Sequence, residues 1–322
     1  MNTVLGIDGG GSRTRAVVAD EGGRIIGSAV GPSINPRHHD LTTVAARLAD
    51  LTEQACDARN GTPAAAFLSL GGISTRADAA AVEAVVREVH ALRGAQVLVD
   101  NDARAALVGG LAGRPGMVLI AGTGSACLGV AADGRRYWCG GWEHLADDAG
   151  SAYWLAVEAV RAAVRIEDGR LPASPLRDLV FARWKIAEAR ALAERLSRPD
   201  MDRATLALLA PDVIALAATD ALAQLIVSRA ADELARLAEV TASHLFAPHA
   251  SEVIFTGGLA RSGPPFTPLL ISRIEATAKG VTVVEPELSP AMGAVIEAAR
   301  LAGWSVPTEF MRTLREQSPG LP

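Results

Sequence analysis

The stretch VLGIDGGGSRTRAVVAD, residues 4–20, joins an apolar run, a carboxylate, three glycines and a second apolar run. Apolar, β-branched runs on either side of a glycine-rich segment are typical of two strands joined by a tight turn. A third run, RIIGSAV at 24–30, follows the turn residues EGG. The stretch therefore predicts three consecutive strands, with Asp8 at the end of the first.

The same pattern returns in GMVLIAGTGSACLGVAADGRRYWCGG, residues 116–141. Aligning Gly9–Ser12 with Gly122–Ser125 also aligns Asp20 with Asp133, at an offset of 113 residues and without a gap. A single repeat of this size indicates two similar domains, whereas solenoids repeat at shorter periods and more often.

Composition narrows the function classes. The chain has 322 residues, a net charge of −5 and no Lys/Arg-rich run, so we expect no nucleic-acid partner. It has no uncharged apolar run of 18 residues, and its first residues, MNTVLGIDGGG, do not resemble a signal peptide. Three cysteines without a CxxC motif fit a reducing compartment. We therefore expect a cytoplasmic protein with no membrane partner.

Hydrophobic periodicity predicts an α/β chain with helices over 41–59 and 78–92 and an almost wholly helical segment over 151–247. That segment is expected to break near EDGRLPASP (167–175) and SRPDM (197–201). Further strands are predicted over 64–72, 96–102 and 252–263, and a strand and a helix over 280–303. The tail after Pro307 shows weak periodicity, so we expect it to be loosely held.

The glycine-rich turns suit phosphate binding. Successive backbone N–H groups in such a turn can bind phosphate oxygens, and glycine lets the backbone adopt positive φ. The motif is neither a Walker A loop nor a dinucleotide fingerprint, because a strand follows it. A glycine-rich hairpin without a ligand is the alternative. With FTGGLARS (255–262) as a third piece, the candidate nucleotide-binding residues are Gly10, Gly11, Ser12, Arg13, Thr14, Gly122, Thr123, Gly124, Ser125, Gly257 and Gly258.

Four segments together resemble the sugar-kinase/Hsp70/actin superfamily. They are DGGGSRT from Asp8, the strand end at Asp102, GTGS from Gly122 and TGGL from Thr256. Within that superfamily, CGGWEHLADDAGSAYWLAVEAVRAA at 139–163 is similar to a segment of the BadF/BadG-type ATPase group that contains N-acetylglucosamine kinase and glucosamine kinase. The resemblance covers residues 4–300 approximately.

The resemblance implies a two-domain actin-like ATPase, a duplicated ribonuclease H-like fold with an interdomain cleft. The first domain is expected over 1–108 plus 290–322 and the second over 109–289. It further implies ATP and Mg²⁺ as cofactors, an amino sugar as substrate, and a homodimer. The expected reaction transfers the γ-phosphate to the 6-hydroxyl of N-acetylglucosamine or glucosamine.

Residue roles follow from the same resemblance. Asp102 matches the catalytic carboxylate, which orients the attacking hydroxyl and accepts its proton. Its alternative role is to cap the helix that starts at Ala103, and Asp100 is a second choice as the base. Asp8 matches the carboxylate that holds hydrated Mg²⁺, an ion that keeps several of its waters. A strand-end turn residue is the alternative for Asp8.

The segment GPSIN at 31–35 resembles the one in which the family presents an asparagine to its sugar. Sugar contacts are therefore expected at Asn35, Asp102, Gly141, Trp142 and Asp148. Trp142 could stack on a pyranose ring or belong to the core. The stretch DDAGS at 147–151 departs from the relatives' GDEGS, because Asp147 stands in place of the first glycine and Ala149 in place of the glutamate. This departure leaves the identity of the sugar open.

Two rival functions remain at the sequence level. One is a catalytically inactive sugar sensor, but the first strand starts at Thr3, so no helix-turn-helix is expected before it. The other is an iron–sulfur ATPase activator of a dehydratase or reductase, which would need cysteines such as Cys127 and Cys139 as cluster ligands.

Overall fold

The computed structural model describes residues 2–56 and 61–317. Its residue contacts divide the chain into two compact units, unit one (Met1–Arg114 with Glu285–Pro322) and unit two (Pro115–Val284). We expected the divisions at 108/109 and 289/290. They fall at 114/115 and 284/285, because the N–H groups of Glu287 and Leu288 donate to the carbonyls of Gly110 and Gly109 and so tie both crossings to unit one.

The ten strands described form two sheets of five. In chain order they are β1 (Thr3–Gly9), β2 (Arg13–Asp20), β3 (Ile25–Pro32), β4 (Ala65–Leu70), β5 (Gln96–Asn101), β6 (Gly116–Ala121), β7 (Ser125–Val130), β8 (Arg136–Gly140), β9 (Ser251–Thr256) and β10 (Val281–Val284).

The described helices follow the strands in an α/β pattern. They are α1 (Leu41–Ala55), α2 (Arg76–Val86), α3 (Asp102–Gly110), α4 (Ala152–Glu167), α5 (Pro175–Arg183), α6 (Ala191–Leu196), α7 (Arg203–Ala207), α8 (Ala210–Leu216), α9 (Ala221–Leu245), α10 (Phe266–Thr277), α11 (Pro290–Leu301) and α12 (Thr308–Gln317).

Both sheets have the same topology. Unit one has the order β3-β2-β1-β4-β5 and unit two the order β8-β7-β6-β9-β10. In each, the first two pairings are antiparallel and the last two are parallel. The central strands β1 and β4 are buried almost throughout, as expected for strands covered by helices on both faces. The predicted duplication is therefore confirmed as a repeat of topology.

The gapless alignment of the two turns is wrong by one residue. In unit one Gly9 pairs with Thr14, so residues 10–13 connect the strands. In unit two Ala121 pairs with Ser125, so only residues 122–124 do. Because the connection in unit two is one residue shorter, the first and second strands of its hairpin are offset from their counterparts in unit one by different numbers of residues. An alignment without a gap therefore cannot match both strands at once.

Two glycines let α3 and α11 cross at close range in unit one. A β-carbon on Gly109 would lie 2.4 Å from the Ser289 carbonyl oxygen, and one on Gly293 would lie 2.0 Å from that of Ala105. A buried ion pair, Arg104 to Glu297 at 2.8 Å, joins the same helices. This crossing fixes α3, and with it Asp102, against the sheet.

The predicted loose tail is wrong within the part that the structure describes. Residues after Pro307 form α12, in which Phe310 and Leu314 are fully buried. The side chain of Gln317 accepts a hydrogen bond from the Ile25 N–H at 2.9 Å. The segment is rich in charged residues and poor in apolar ones, which conceals it from a search for apolar runs, but Phe310 and Leu314, spaced by four, lie opposite the charged face and bury one side of the helix.

The other predicted helices differ mainly at their ends. The helix predicted over 41–59 ends at Ala55, and residues 57–59 of that prediction lie outside the described residues. The helix predicted over 78–92 ends at Val86, because Val89 is extended before a short 3-10 turn at His90–Leu92. The two predicted breaks in the helical segment are confirmed, between α4 and α5 and between α6 and α7.

No single helix within the described residues is both long and apolar enough to cross a membrane. The pair Arg203–Leu216 and Ala221–Leu245 meets the length and composition criteria only together, across a bend of 115°. One face of α9 is buried in the core of unit two.

Candidate active site

The first glycine-rich turn is exposed only at its tip. The Gly10 N–H donates to the Arg13 carbonyl at 3.0 Å, and the Thr14 hydroxyl donates to the Pro32 carbonyl at 2.9 Å. Thr14 is fully buried, so its hydroxyl belongs to the hairpin, whereas Gly11, Ser12 and Arg13 are exposed. Neither Gly10 nor Gly11 adopts positive φ, contrary to the expectation. Of the phosphate-binding residues predicted in this turn, the exposed ones are Gly11, Ser12 and Arg13.

Asp8 ends β1 in an unfavourable setting for a charge. Burial and, to a lesser extent, the nearby carboxylate of Asp102 raise the pKa of Asp8 to about 6 against the opposing effect of Arg15. A cavity of about 260 Å³ lies beside Asp8 and is lined by Arg15, Ser28 and the first residues of α11. A carboxylate held near other negative charge in this way is suited to binding a cation.

The residues around Asp8 fit hydrated Mg²⁺. Within residues 2–56 and 61–317 no cluster of three or more His, Cys, Asp or Glu side chains forms a metal cage. Mg²⁺ is commonly held by one or two carboxylates together with substrate phosphates and water. Asp8 supplies one such carboxylate at the carboxyl end of a central strand.

Asp102 is the first residue of α3 and does not act as its N-cap. Asn101 does, since its side-chain oxygen accepts the Ala103 N–H at 2.9 Å. Burial raises the pKa of Asp102, and backbone N–H groups at Ala103 and Asp102 act in the opposite direction. Asp100, the second choice as base, already accepts the Asn101 N–H at 2.8 Å. The geometry thus favours Asp102 over its neighbours.

Asn35 lies close to Asp102 through a glycine pair. A β-carbon on Gly71 would lie 3.2 Å from Asp102 Oδ2 and 3.3 Å from Asn35 Nδ2, and one on Gly72 would overlap Asn35 Oδ1 at 2.2 Å. The Arg37 N–H donates to Asn35 Oδ1 at 2.9 Å, which orients the amide. Two residues predicted from separate motifs therefore meet above Gly71.

Gly71, Gly72 and Arg37 are site residues that sequence reasoning missed. The glycine pair was visible as the end of a buried strand, but its closeness to Asp102 depends on β4 and β5 being neighbours. Arg37 packs over Gly72 and donates from Nε to the Gly72 carbonyl at 3.2 Å. A glycine pair that ends a strand next to a strand ending in carboxylates is the signal that could have found them.

The second turn is braced from within unit two. The Ser125 N–H donates to Asp148 Oδ1 at 3.1 Å, and the Ser125 hydroxyl donates to the Ala149 carbonyl at 2.8 Å. Ser125 is only 3% exposed, so the prediction that its hydroxyl is available to phosphate does not hold in this arrangement. Thr123 is exposed at the tip of the turn, and the N–H of Gly122 donates to the Gly124 carbonyl at 2.9 Å.

Asp148 differs from its predicted role as a sugar contact. It is 2% exposed, and its second oxygen accepts from Arg203 at 2.6 Å. Burial raises the pKa of Asp148, while the Ser125 N–H and Arg203 act against that rise. Because both carboxylate oxygens are engaged, Asp148 supports the turn in this structure and does not present its carboxylate to a ligand.

Trp142 is outside the core. Its side chain is 73% exposed, and it follows Gly140 and Gly141, whose φ angles are 77° and 73°. The Gly141 N–H donates to the Ser125 carbonyl at 2.9 Å, so this loop starts beside the second turn. The core alternative for Trp142 is therefore wrong, and a stacking role remains a prediction.

Gly257 and Gly258 lie against the same turn. Gly257 has φ of 101°, and a β-carbon there would lie 2.3 Å from the Ala121 carbonyl oxygen. A β-carbon on Gly122 would lie 3.9 Å from the Gly258 nitrogen. Only glycine fits at 257, both for its φ and for this close approach.

The predicted residues thus form two clusters, one within each unit. The cluster of unit one contains Asp8, the tip at 11–13, Asn35 and Asp102. The cluster of unit two contains the turn at 122–125, the loop at 140–150 and the glycine pair at 257–258.

Comparison with known proteins gives relatives of one kind. The chain is 31% identical over 174 residues to an N-acetylmuramic acid/N-acetylglucosamine kinase of Clostridium acetobutylicum, covering 53% of this chain and 56% of that one. It is 30% identical over 185 residues to a glucosamine kinase of Vibrio cholerae, covering 56% and 61%. The matches therefore span less than two thirds of the length of either relative.

The fold is shared with solved structures. The crystal structure of a candidate N-acetylglucosamine kinase from Chromobacterium violaceum superposes with a TM-score of 0.70 at 24% identity, covering 94% of this chain and 99% of that one. The architecture is that of a two-domain actin-like ATPase. The family model of the BadF/BadG/BcrA/BcrD ATPases matches residues 5–298, and this chain belongs to that family.

Proposed function

We propose that the chain is an ATP-dependent kinase that phosphorylates the 6-hydroxyl of an amino sugar. The observation that carries the proposal is Asp102, a buried carboxylate that does not cap its helix and lies beside Asn35. The named activities of the two relatives support the same substrate class. N-acetylglucosamine, glucosamine and N-acetylmuramic acid are the candidate sugars.

The residues of unit one suit the chemical step. The Asp102 carboxylate orients the 6-hydroxyl and accepts its proton as the sugar oxygen bonds to the γ-phosphorus and the bond to the β-phosphate oxygen breaks, releasing ADP. A raised pKa brings a carboxylate closer to the pH at which a general base works best. The Asn35 amide, held by the Arg37 N–H, donates to a sugar hydroxyl.

The remaining residues hold the phosphates. Asp8 binds Mg²⁺, which when bound neutralises charge on the β- and γ-phosphates. The exposed tip at 11–13 and the turn residues Thr123 and Gly124 contribute N–H groups, and Gly257 and Gly258 adjoin that turn. Trp142 provides an apolar surface for a pyranose ring, as aromatic rings do for other flat apolar faces.

The test is ADP release with ATP and Mg²⁺ against a panel of these sugars, run for wild type, Asp102→Asn and Asp100→Asn. One sugar is expected to give turnover, with a loss of at least about 100-fold in Asp102→Asn. Asp100→Asn is the matched control and is expected to keep activity within about threefold, because its carboxylate accepts the Asn101 N–H at 2.8 Å and the amide oxygen of Asn can accept it as well. An equal loss in both variants would contradict the assignment of Asp102.

An inactive sugar sensor is the second candidate. The raised pKa values of Asp8 and Asp102 disfavour it, since a protein that only binds sugar has no need for two such carboxylates near each other. Saturable sugar binding without ADP release at any sugar would establish it.

The iron–sulfur alternative is disfavoured by the cysteines. Cys127 is fully buried, and burial raises the pKa of its thiol to about 12. Its cross-strand partner is Cys139, on the edge strand β8 of the sheet of unit two. A purified protein with the absorption of an iron–sulfur cluster would reverse this conclusion.

We also propose that the protein is cytoplasmic, on the ground of its free thiols. On the ground of the family resemblance we propose that it forms a homodimer. Sedimentation of the purified protein tests the homodimer.

A further inference from the structure

Arg203, the first residue of α7, contacts two acidic residues of the loop at 140–150. Its guanidinium donates to Asp148 Oδ2 at 2.6 Å and to the carboxylate of Glu143. It also lies over the ring of Tyr153, 5.7 Å from the centroid. Its Nε is buried and has no partner among the described residues, so the two carboxylates determine its position.

The loop that Arg203 holds is conformationally strained. Glu143 and Asp148 have φ of 68° and 59°, in the left-handed region that side chains other than glycine rarely adopt. A residue in this conformation is unfavourable and persists only where its surroundings hold it. Arg203 contacts both of them, so removing its guanidinium releases the loop at both strained positions.

Asp148 extends the connection to the second turn. Its Oδ1 accepts the Ser125 N–H at 3.1 Å, and a β-carbon on Gly124 would lie only 2.8 Å from the same oxygen. The carboxylate thus packs directly on the backbone of the turn at 122–125. One buried side chain connects the loop carrying Trp142 to the turn proposed to bind phosphate.

We propose that Arg203 is a positioning residue that couples sugar binding to nucleotide binding through Asp148. The inference rests on the proposed function, because it assigns the loop to the sugar and the turn to the nucleotide. A sugar on the loop near Glu143 shifts the Arg203 guanidinium, and Arg203 passes this shift through Asp148 to the turn at 122–125. Because both ligands favour the same position of Arg203 and Asp148, each tightens the binding of the other by the same factor.

The experiment measures that factor. ADP–Mg²⁺ is titrated by calorimetry with and without a saturating concentration of the sugar that gives turnover. The ratio of the two dissociation constants is expected to be at least about fivefold in wild type. The ratio is expected to fall below about twofold in Arg203→Met. In Arg203→Lys it is expected to lie between these values, because the ammonium group keeps the charge but cannot donate to both carboxylates as the planar guanidinium does.

Two further variants separate coupling from folding. Arg170→Met removes an arginine of unit two that pairs with the exposed Asp168 at 2.6 Å, and it is the matched control, with a ratio within about twofold of wild type. Asp148→Asn combined with Arg203→Met avoids leaving an unpaired buried charge, while its amide oxygen still accepts the Ser125 N–H. This double variant is expected to fold and still to show a ratio below about twofold.

The outcomes are distinguishable. If wild type turns over sugar but the ratio is unchanged in Arg203→Met and in the double variant, the coupling is wrong and the kinase assignment stands. If wild type shows no ratio above one, the coupling is equally wrong. If wild type neither turns over nor binds any sugar of the panel, the proposed function fails and the coupling fails with it.

Discussion

The carboxylates of the two units differ in what they contact. In unit one Asp8 and Asp102 lie near each other, and burial raises the pKa of both. In unit two burial also raises the pKa of Asp148, but Arg203 and the Ser125 N–H engage both its oxygens and act against that rise. The same sheet topology therefore supports two environments. Unit one holds destabilised carboxylates suited to chemistry, and unit two uses its carboxylate to support a turn.

Replacing Asp8 is expected to give the largest loss of activity among the tests of this comparison. Asp8→Asn removes the carboxylate proposed to hold Mg²⁺ and should lower kcat/KM by about 1,000-fold, with a higher Mg²⁺ requirement, because metal-mediated charge neutralisation contributes several kcal/mol to such steps. Steady-state kinetics over a Mg²⁺ series measure this. Glu21→Gln, at an exposed acid of the same unit, is the control, and a comparable loss there would contradict the assignment.

The pH dependence of the free energy of unfolding tests the setting of Asp8 in unit one. The folded-state pKa of Asp8, about 6, lies above its ordinary value of 3.8. Between these pH values Asp8 is protonated in the folded state and ionised in the unfolded state. The stabilisation that this proton gives the folded state is fully present below about pH 4 and is lost as the pH rises through about 6. The expected loss is about 3 kcal/mol. Urea unfolding of wild type and Asp8→Asn across pH 4–8 tests it, and identical slopes would contradict it.

The two glycine-rich turns should respond differently to a methyl group. Gly124→Ala places a β-carbon 2.8 Å from Asp148 Oδ1 and is expected to lower the free energy of unfolding by about 1–3 kcal/mol. At Gly11 a β-carbon meets nothing within 4 Å and φ is not positive, so Gly11→Ala should stay within about 0.5 kcal/mol of wild type. Denaturant midpoints measure both, and equal losses would show that the turns are not differently supported.

Sequence reasoning found unit one more completely than unit two. Asp8, Asn35 and Asp102 each stand in a short motif, and the order of the strands brings them together once the sheet forms. Arg203 stands 55 residues from Asp148, in a helical segment with no motif of its own. Its role depends on how α7 packs, which no local pattern encodes.

The errors have similar physical causes. The ungapped repeat counted residues, whereas hairpin register depends on how many of them pair. Asp148 was assigned by resemblance to a ligand contact, but burial and hydrogen bonding depend on the folded loop. Helix α12 escapes the sequence analysis because charged residues dominate its composition, although Phe310 and Leu314 give it one apolar face.

The most direct test of the central claim measures stability and turnover on the same Asp102→Asn protein. If Asp102 is a carboxylate kept in a costly environment for catalysis, the neutral amide should raise the free energy of unfolding at pH 7.5 while kcat falls by at least about 100-fold. Asp148→Asn, which loses the Arg203 ion pair, should instead be less stable than wild type. A destabilised Asp102→Asn that retains turnover would contradict the account.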